Sequence, residues 1–345
     1  MILDCRGLNM KLYVRELQDD DDWDFFFDLS FKTMKAMRQF VLDELLRNNP
    51  DVNPNDDVTL LELHRKETND YFDFSDFNAR VFIAEQDGGI RCGYLWMGNR
   101  HSKDAWDTEN EQWIYDIVVD PKFYRNGIGR LLLERAEEFS SKLNLNLGLF
   151  VQANNSPAIT LYKKSGYSVK QTPVSKVFKV NSQDVPIGND FIVRKMDDDE
   201  YDSIVKAEFD QFKKKIEFSV DAKLDVEKKL HLEHLKKYFS KDEKHQRFIS
   251  LTKKGETAGT IWIGSSGFNK LIAKIHEVTI NFGSQSDKIG DFLVNSAEKW
   301  ARGKKFTGIY ILLHSTDPLE VDFFKERGYK VPGLFMEKRL KSLED

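Results

Sequence analysis

The sequence predicts a mixed α/β fold, present twice in one chain. Three observations carry that expectation. The chain has 345 residues, room for about two domains. Strand-like alternating runs are interleaved with segments of helical period. The order of elements in the first half then returns in the second. Apolar residues make up 40%, with 26 Phe and 6 Trp to fill cores, and charged residues make up 32%, as suits a hydrated globular surface.

The first copy reads in order. KLYVREL (11–17) alternates like a strand, and DDDDWDFFFDLSFKTMKAMRQFVLDELL (19–46) comes next with helical spacing. VTLLELHRKETNDYF (58–72) is more helix. ARVFIAEQDGGIRCGYLWMG (79–98) is two β-rich runs around Asp87-Gly88-Gly89, a hairpin signal. WIYDIVV (113–119) is a strand. IGRLLLERAEEFSSKL (128–143) keeps apolar residues at helical period, LGLFVQA (147–153) is a strand, and NNSPAITLYKKSGY (154–167) is a short helix. Ser156 before Pro157 marks its start and Gly166 its stop.

The echoes keep the same order. DFIVRKMDDDEYDSIV (190–205) matches KLYVRELQDDDDWDFF, with Arg194 for Arg15, an offset of 179. RFISLTKKGETAGTIWIG (247–264) matches the hairpin, pairing Gly259 with Gly93 and Trp262 with Trp96. Gly290 matches Gly129 and Gly328 matches Gly166, at offsets of 161 and 162. The falling offset places the extra residues of the first copy near 45–78. A repeat this long is a duplicated domain, not a solenoid. The linker-like NSQDVPIGND (181–190) separates domains at 10–180 and 186–345.

Composition excludes several classes. A net charge of −5 gives no reason to expect nucleic acid. No apolar run reaches the roughly 18 residues of a membrane span. The N-terminus lacks a basic start followed by a long apolar stretch, and Met10 makes the nine residues before it read as a ragged extension. Cys5 and Cys92 are too few for a disulfide framework or a Cys-rich zinc site. HLEHLKK (231–237) puts two histidines on one helical face but shows no third ligand, so a surface helix is expected and no metal. A cytoplasmic protein is the simplest reading.

The stretch PKFYRNGIGRLLL (121–133) sets Gly127 and Gly129 between a strand and a helix. First-turn amides carry the positive end of the helix dipole, and glycine lets backbone approach a ligand closely, so a phosphate or pyrophosphate site is one reading. A tight strand-to-helix turn is the other. The ATP-loop pattern is absent, and Leu132 stands where a dinucleotide fingerprint wants a third glycine.

The segment YDIVVDPKFYRNGIGRLLL, followed by NNSPAITLYKKSGY, resembles the acetyl-CoA-binding core of the GCN5-related N-acetyltransferase (GNAT) superfamily. The resemblance is strong over 113–169 and extends over 11–178 through strand order. The family loop reads Arg/Gln-x-x-Gly-x-Gly/Ala. Gly127 and Gly129 match it, whereas Tyr124 replaces the Arg or Gln and Arg125 stands one residue later. The later motif is matched by Asn155, Ala158, Leu161, Tyr162, Gly166 and Tyr167.

The resemblance implies two tandem GNAT-like domains, each a mixed, mostly antiparallel sheet flanked by helices. It implies acetyl-CoA as cosubstrate and direct attack by a primary amine, whether small amine, peptide N-terminus or lysine. The backbone of Tyr124, Arg125, Asn126, Gly127, Ile128, Gly129 and Arg130 would cradle the pyrophosphate, with Ala158 in the same cofactor-binding set. Ile117, Val118 and Val119 would pair with the acetyl and pantetheine portions and supply a thioester donor. Asn155 would contact the pantetheine arm. Tyr162 matches the family's acid, and Asp116 a frequent position for the base; Tyr115 stands where Glu is often found, and Glu111 is a remote base acting through water. Each has a plainer competitor: a packed aromatic for Tyr162, a strand-end hydrogen bond for Asp116, a helix cap for Asn155, solvated charges for Arg125 and Arg130.

The second copy departs where chemistry would occur. Lys288 replaces Gly127, Phe324 replaces Tyr162, Asp317 replaces Asn155 and Phe282 replaces Pro121, while His276 and Glu277 stand for Tyr115 and Asp116. A catalytically silent second domain is therefore expected. The acid run 19–28 and ETNDYFDFSDF (67–77) would attract a cationic amine, or are simply a solvated helix start and core aromatics. A noncatalytic acyl-CoA-binding or interaction protein is the alternative function. Duplication makes a monomeric pseudo-dimer or a homodimer plausible.

Overall fold

The chain enters the sheet at an edge. β1 (Leu3–Asp4) pairs antiparallel with β2 (Lys11–Glu16), so the first nine residues are not wholly a ragged extension. The computed structural model describes residues 3–4, 11–100, 111–178, 190–197, 200, 245–266, 270–281, 283–315 and 317–340. The HLEHLKK segment and most of the expected linker lie outside these residues.

The run expected as one helical segment over 19–46 is broken. α1 (Asp20–Met37) and α2 (Gln39–Asn48) meet at Arg38, whose φ of −127° and ψ of 50° are not helical. Asp19 caps α1 by accepting from the Asp22 amide. The acid run is more than a solvated start. Asp22 is fully buried and accepts from Arg15 at 2.5 and 3.0 Å and from Arg91 at 2.6 Å, which fastens α1 to two strands. Burial pushes the Asp22 carboxyl up, but the hydrogen bonds from Arg15, Arg91 and the Gln18 amide outweigh it and hold the group well below its ordinary value. The echo at Arg194 has the same use: its guanidinium forks onto Glu200 at 2.7 and 2.5 Å. Helix α3 (Asp57–Tyr71) comes next, capped by Asp56.

β3 (Arg80–Gln86) and β4 (Ile90–Asn99) form the expected hairpin, turned by Gly88 and Gly89 at φ of 89° and 76°. β3 is buried on both faces because helices cover both sides of the sheet. Phe82 and Ala84 pack with Leu131, Leu132 and Ala136 of α4 (Ile128–Lys142), whereas Val81 and Ile83 pack with Phe26 and Phe27 of α1. β5 (Glu111–Val119), β6 (Asn146–Gln152), α5 (Ser156–Lys164) and β7 (Ser168–Val177) complete the first half. The second half repeats it with β8 (Phe191–Lys195), β9 (His245–Thr252), β10 (Thr257–Ser265), β11 (Ile272–Ile280), α6 (Ser286–Gly303), β12 (Gly308–Leu313), α7 (Val321–Glu326) and β13 (Gly333–Lys338).

The strands form one sheet in the order β1-β2-β3-β4-β5-β6-β13-β7-β12-β11-β10-β9-β8. Pairing is antiparallel except β5 with β6 and β11 with β12. This is the mixed, mostly antiparallel, twice-repeated architecture expected from the sequence. The order also holds a feature no motif announced: the halves exchange their last strands. β13 inserts between β6 and β7, and β7 pairs in turn with β12. Met336 of β13 therefore lies in the first core and Val174 of β7 in the second, each essentially inaccessible. Charges repeat the exchange. Lys338 reaches Glu137 at 2.6 Å beside Tyr167, and Lys176 reaches Glu298 at 2.8 Å beside Tyr329, whose hydroxyl donates to the same carboxylate at 3.0 Å.

Neither half closes its sheet with its own last strand, so separation has a definite consequence. We expect residues 10–180 expressed alone to lack a cooperative thermal transition by circular dichroism. Co-expression with 186–345 should give a one-to-one complex with a single transition. A stable, well-folded isolated half would contradict this dependence.

Candidate active site

The parallel pairing of β5 with β6 runs only from Glu111↔Asn146 to Ile114↔Leu149, whereas β5 stays paired with β4 out to Val119↔Gly93. Residues 115–119 thus present one open edge. Their backbone amides and carbonyls face a wedge between diverging strands, a place where an extended ligand can pair with main chain. The register between β4 and β5 also shifts between Trp96 and Met97, which leaves Tyr115 as a bulge. The bulge puts two successive side chains on one face. Tyr115 stacks on Trp96 with centroids 5.1 Å apart, and Asp116 meets Tyr94, while Ile114 and Ile117 both pack on the α4 side.

Asp116 is buried and its carboxylate is committed. Arg38 donates to its two oxygens at 3.0 and 2.5 Å, and the Tyr94 hydroxyl donates at 2.7 Å. The break between α1 and α2 is what delivers Arg38 to this point. On α1, Ser30 Oγ lies 2.9 Å from Nε2 of His64 on α3. Burial pushes the Tyr94 hydroxyl up and the His64 imidazole down. Tyr162 is also buried, near enough to feel the charges of Asp116 and Arg38; burial foremost, then Asp116, raises it, so it stays protonated at neutral pH.

The two glycines have different jobs. Gly127 caps α4 at φ 79°, a left-handed conformation that glycine adopts freely, and an added Cβ would meet nothing within 4 Å. Gly129 lets helices approach: a Cβ there would lie 3.2 Å from Leu161 and 3.9 Å from Val119. That contact draws the α4 start, the end of β5 and α5 to one place. The Arg130 and Leu131 amides make the first bonds of the helix, both to the Gly127 carbonyl, so the amides of Ile128 and Gly129 precede the helix's own ladder. Tyr124 is about half exposed, and Arg125 adopts φ 69°. Arg130 pairs with Glu134 at 2.7 Å, as a solvated helix charge does. Asn155, rather than Ser156, is the cap of α5, accepting from the Ala158 amide at 3.2 Å. Glu111 opens β5 at its paired end, away from the open segment.

The structure thus brings the end of β5 at Val119, the α4 start at Gly129 and α5 at Leu161 to one place, with Tyr162 near Asp116 and Arg38. Arg38 and Tyr94, the partners of Asp116, carry no local motif; their grouping is purely tertiary. The acid and aromatic run of α1 lines an open cleft of about 380 Å³ with Asp20, Trp23, Asp24, Phe27, Arg65, Asn69 and Phe74, where Arg65 already pairs with Asp24 at 2.7 Å.

The second half builds the same wedge. The β10–β11 register shifts at His276, which stacks on Trp262 at 4.4 Å, as Tyr115 does on Trp96. Its cavity, lined by His276, Glu277 and Asp317, holds only about 10 Å³. Thr260 stands in the place of Tyr94 and bonds Thr279 at 2.7 Å. α6 begins four residues before Gly290, so Ser286, Asp287 and Lys288 wind into helix where the first copy has its loop. Gly290 keeps only the packing job, with Leu319 at 2.7 Å and Phe323 at 2.9 Å from an added Cβ.

Residues 39–167 match the model of the acetyltransferase (GNAT) family. The chain is 40% identical over 60 residues to the [ribosomal protein bS18]-alanine N-acetyltransferase of Salmonella typhimurium, covering 17% of this chain and 40% of that protein. It is 27% identical over 143 residues to the N-terminal acetyltransferase B complex catalytic subunit NAA20 of Arabidopsis thaliana, covering 39% of this chain and 74% of that protein. The crystal structure of a GCN5-related N-acetyltransferase from Sphaerobacter thermophilus superposes with a TM-score of 0.50 at 11% identity, covering 96% of each chain, which shows a shared fold.

The ion pair at Asp116 gives a stability test. Arg38→Met should strand a buried carboxylate and cost about 3 kcal/mol in chemical denaturation. Adding Asp116→Asn should recover part of that loss, because the residues are directly bonded and their effects do not add.

Proposed function

We propose that this chain, whose residues 39–167 match the model of the acetyltransferase (GNAT) family, is an acetyl-CoA-dependent N-acetyltransferase whose first half carries the chemistry. The observation that carries the reading is the convergence on one wedge of an open strand edge, a glycine-capped helix start and the buried Tyr162 hydroxyl. The residues fit the cosubstrate. The space beside Gly127, which a side chain would fill, lies next to amides that precede the helical ladder, and these suit a pyrophosphate. Acetyl-CoA supplies a thioester-linked acetyl group. The main chain of Ile117, Val118 and Val119 holds the pantetheine portion and donates to the thioester oxygen. Tyr162, kept protonated, gives its proton to the departing sulfur.

The amine's proton leaves through Asp116. Its two oxygens are engaged by Arg38 and Tyr94, which fix the carboxylate in place. Asn155 shapes the site by capping α5. The acceptor is a primary amine. Two relatives bear the names of enzymes acting on ribosomal-protein alanine and on protein N-termini, so peptide N-termini lead the acceptor screen. The second half is silent in this reading, because α6 fills its cradle and Asp287 places a negative charge in the helix's first turn. The protein acts in the cytoplasm.

A noncatalytic acyl-CoA-binding role is favoured by one observation, the tied-up Asp116 carboxylate. Calorimetric titration of acetyl-CoA should show about one site per chain and lose it in Gly127→Glu, whose side chain combines left-handed strain with negative charge. Two sites would overturn the silent second half, and no binding at millimolar cofactor would sink the reading. Tyr162→Phe should lower kcat at least tenfold with cofactor affinity unchanged. A wild type that binds without acetylating any amine would establish the binding module instead.

A further inference from the structure

We propose that the open cleft beside the start of α1 holds a basic side chain of the acceptor, a guanidinium or ammonium on a peptide whose N-terminal amine is acetylated at the wedge; this deepens the acetyltransferase reading above and rests on it. The cleft measures about 380 Å³, within the range of small-ligand pockets. Asp20, Trp23, Asp24 and Phe27 of α1 line it, together with Arg65 of α3 and Phe74. Its walls are aromatic. Trp23 meets Phe74 edge to face with centroids 4.9 Å apart and stacks on Phe27 at 5.9 Å. Asp20 and Asp24 stand one helical turn apart, so α1 turns both carboxylates to the same side. Ring faces and carboxylates around one space suit a cation, which the rings attract by their quadrupoles and the acids by their charge.

The molecule already displays this chemistry. The Arg65 guanidinium lies 5.0 Å over the Phe27 ring and donates to Asp24 at 2.7 Å. One corner of the cleft is thus filled by the chain's own cation, which uses one ring and one acid. Trp23, Phe74 and Asp20 line the rest, and Asp20 makes no ion pair among the described residues. A second cation there would repeat with Asp20 what Arg65 does with Asp24. Packing accounts for Phe26, which is 1% exposed. It does not account for Trp23 and Phe74, which stay half-buried at the side of an open cleft with carboxylates beside them.

An aromatic row joins the cleft to the wedge. Phe74 lies 5.4 Å from Trp96, and Trp96 stacks at 5.1 Å on Tyr115, the residue before Asp116. From Trp23 the row takes three steps, of 4.9, 5.4 and 5.1 Å. About four or five extended residues cover that span. With a peptide N-terminus as the leading acceptor, the row sets the reach: the basic residue that the cleft accepts stands about the fifth position from the amine.

The test is initial-rate kinetics with acetyl-CoA and synthetic alanine–serine peptides of about ten residues with a free N-terminus. One carries arginine at about the fifth position, one carries citrulline there, which keeps the shape and loses the charge, and a second such pair differs at the second position. Wild type should favour arginine over citrulline about tenfold in kcat/KM at the fifth position and show no preference at the second. Asp20→Lys should bring the fifth-position ratio to about one, through KM. Arg65→Gln removes the internal cation and releases Asp24, so it should widen the ratio about threefold. A merely structural role would slow both peptides alike in both variants and leave the ratio unmoved. A wild-type ratio near one, or a ratio untouched by Asp20→Lys, would overturn the cleft while leaving the acetyltransferase reading intact. Spermidine acetylated in an Asp20-dependent way, with every peptide refused, would overturn the peptide assignment. If no amine is turned over, the acetyltransferase reading falls, and calorimetry of the arginine peptide decides the cleft alone: binding weakened by Asp20→Lys retains it as a cation site, and no binding removes it too.

Discussion

The exchange of last strands is the constraint on which the rest of the molecule depends. An exposed strand edge presents unpaired hydrogen-bonding groups, and here each half leaves a slot beside its penultimate strand, β6 or β12, that the other half fills. Met336 and Val174 then become core residues of the half they did not come from. The Lys338–Glu137 and Lys176–Glu298 pairs sit at the same place in each exchange. β6 is held on its far edge by β13 where it parts from β5. One flank of the wedge is therefore held by a strand from the second half.

That dependence gives the second half a role apart from its own wedge. The two copies separate packing from chemistry within one molecule. Gly129 and Gly290 both sit where a helix presses on its neighbour: a side chain at Gly129 would be tight against Leu161, and one at Gly290 would collide with Leu319 and Phe323. Gly127 has no such duty; its open surroundings and left-handed backbone serve the loop, and its counterpart Lys288 lies inside a helix that starts earlier. Packing glycines recur because the fold needs them. The cradle glycine does not, because the fold stands without it.

The buried charges show the same division. Arg15 with Asp22 and Arg194 with Glu200 clamp the first strand of each copy to the chain just beyond it. Asp116 with Arg38 is different. It stands at a bulge, is reached from a helix break, and joins a buried tyrosine rather than a second structural pair. Isolated buried ion pairs are weak evidence for stability, and this one lies at the open edge of β5.

The sequence by itself determined the elements and their repetition. Local periodicity, the Asp87-Gly88-Gly89 turn and the glycine stop at Gly166 depend on neighbours a few residues apart, and the structure places the expected strands and helices accordingly. The glycine loop and the Asn155–Tyr167 motif were legible for the same reason, since each is one strand end or one helix. The strand exchange was not legible, because β13 pairs with residues far along the chain and its alternation suits either half. Nor was the break at Arg38, which interrupts an unbroken helical pattern and is held by a carboxylate 78 positions away. The one-residue bulge at Tyr115 decided which face Asp116 occupies. Arg38 comes from the junction of α1 and α2 and Tyr94 from β4, and only tertiary packing made them partners of one carboxylate.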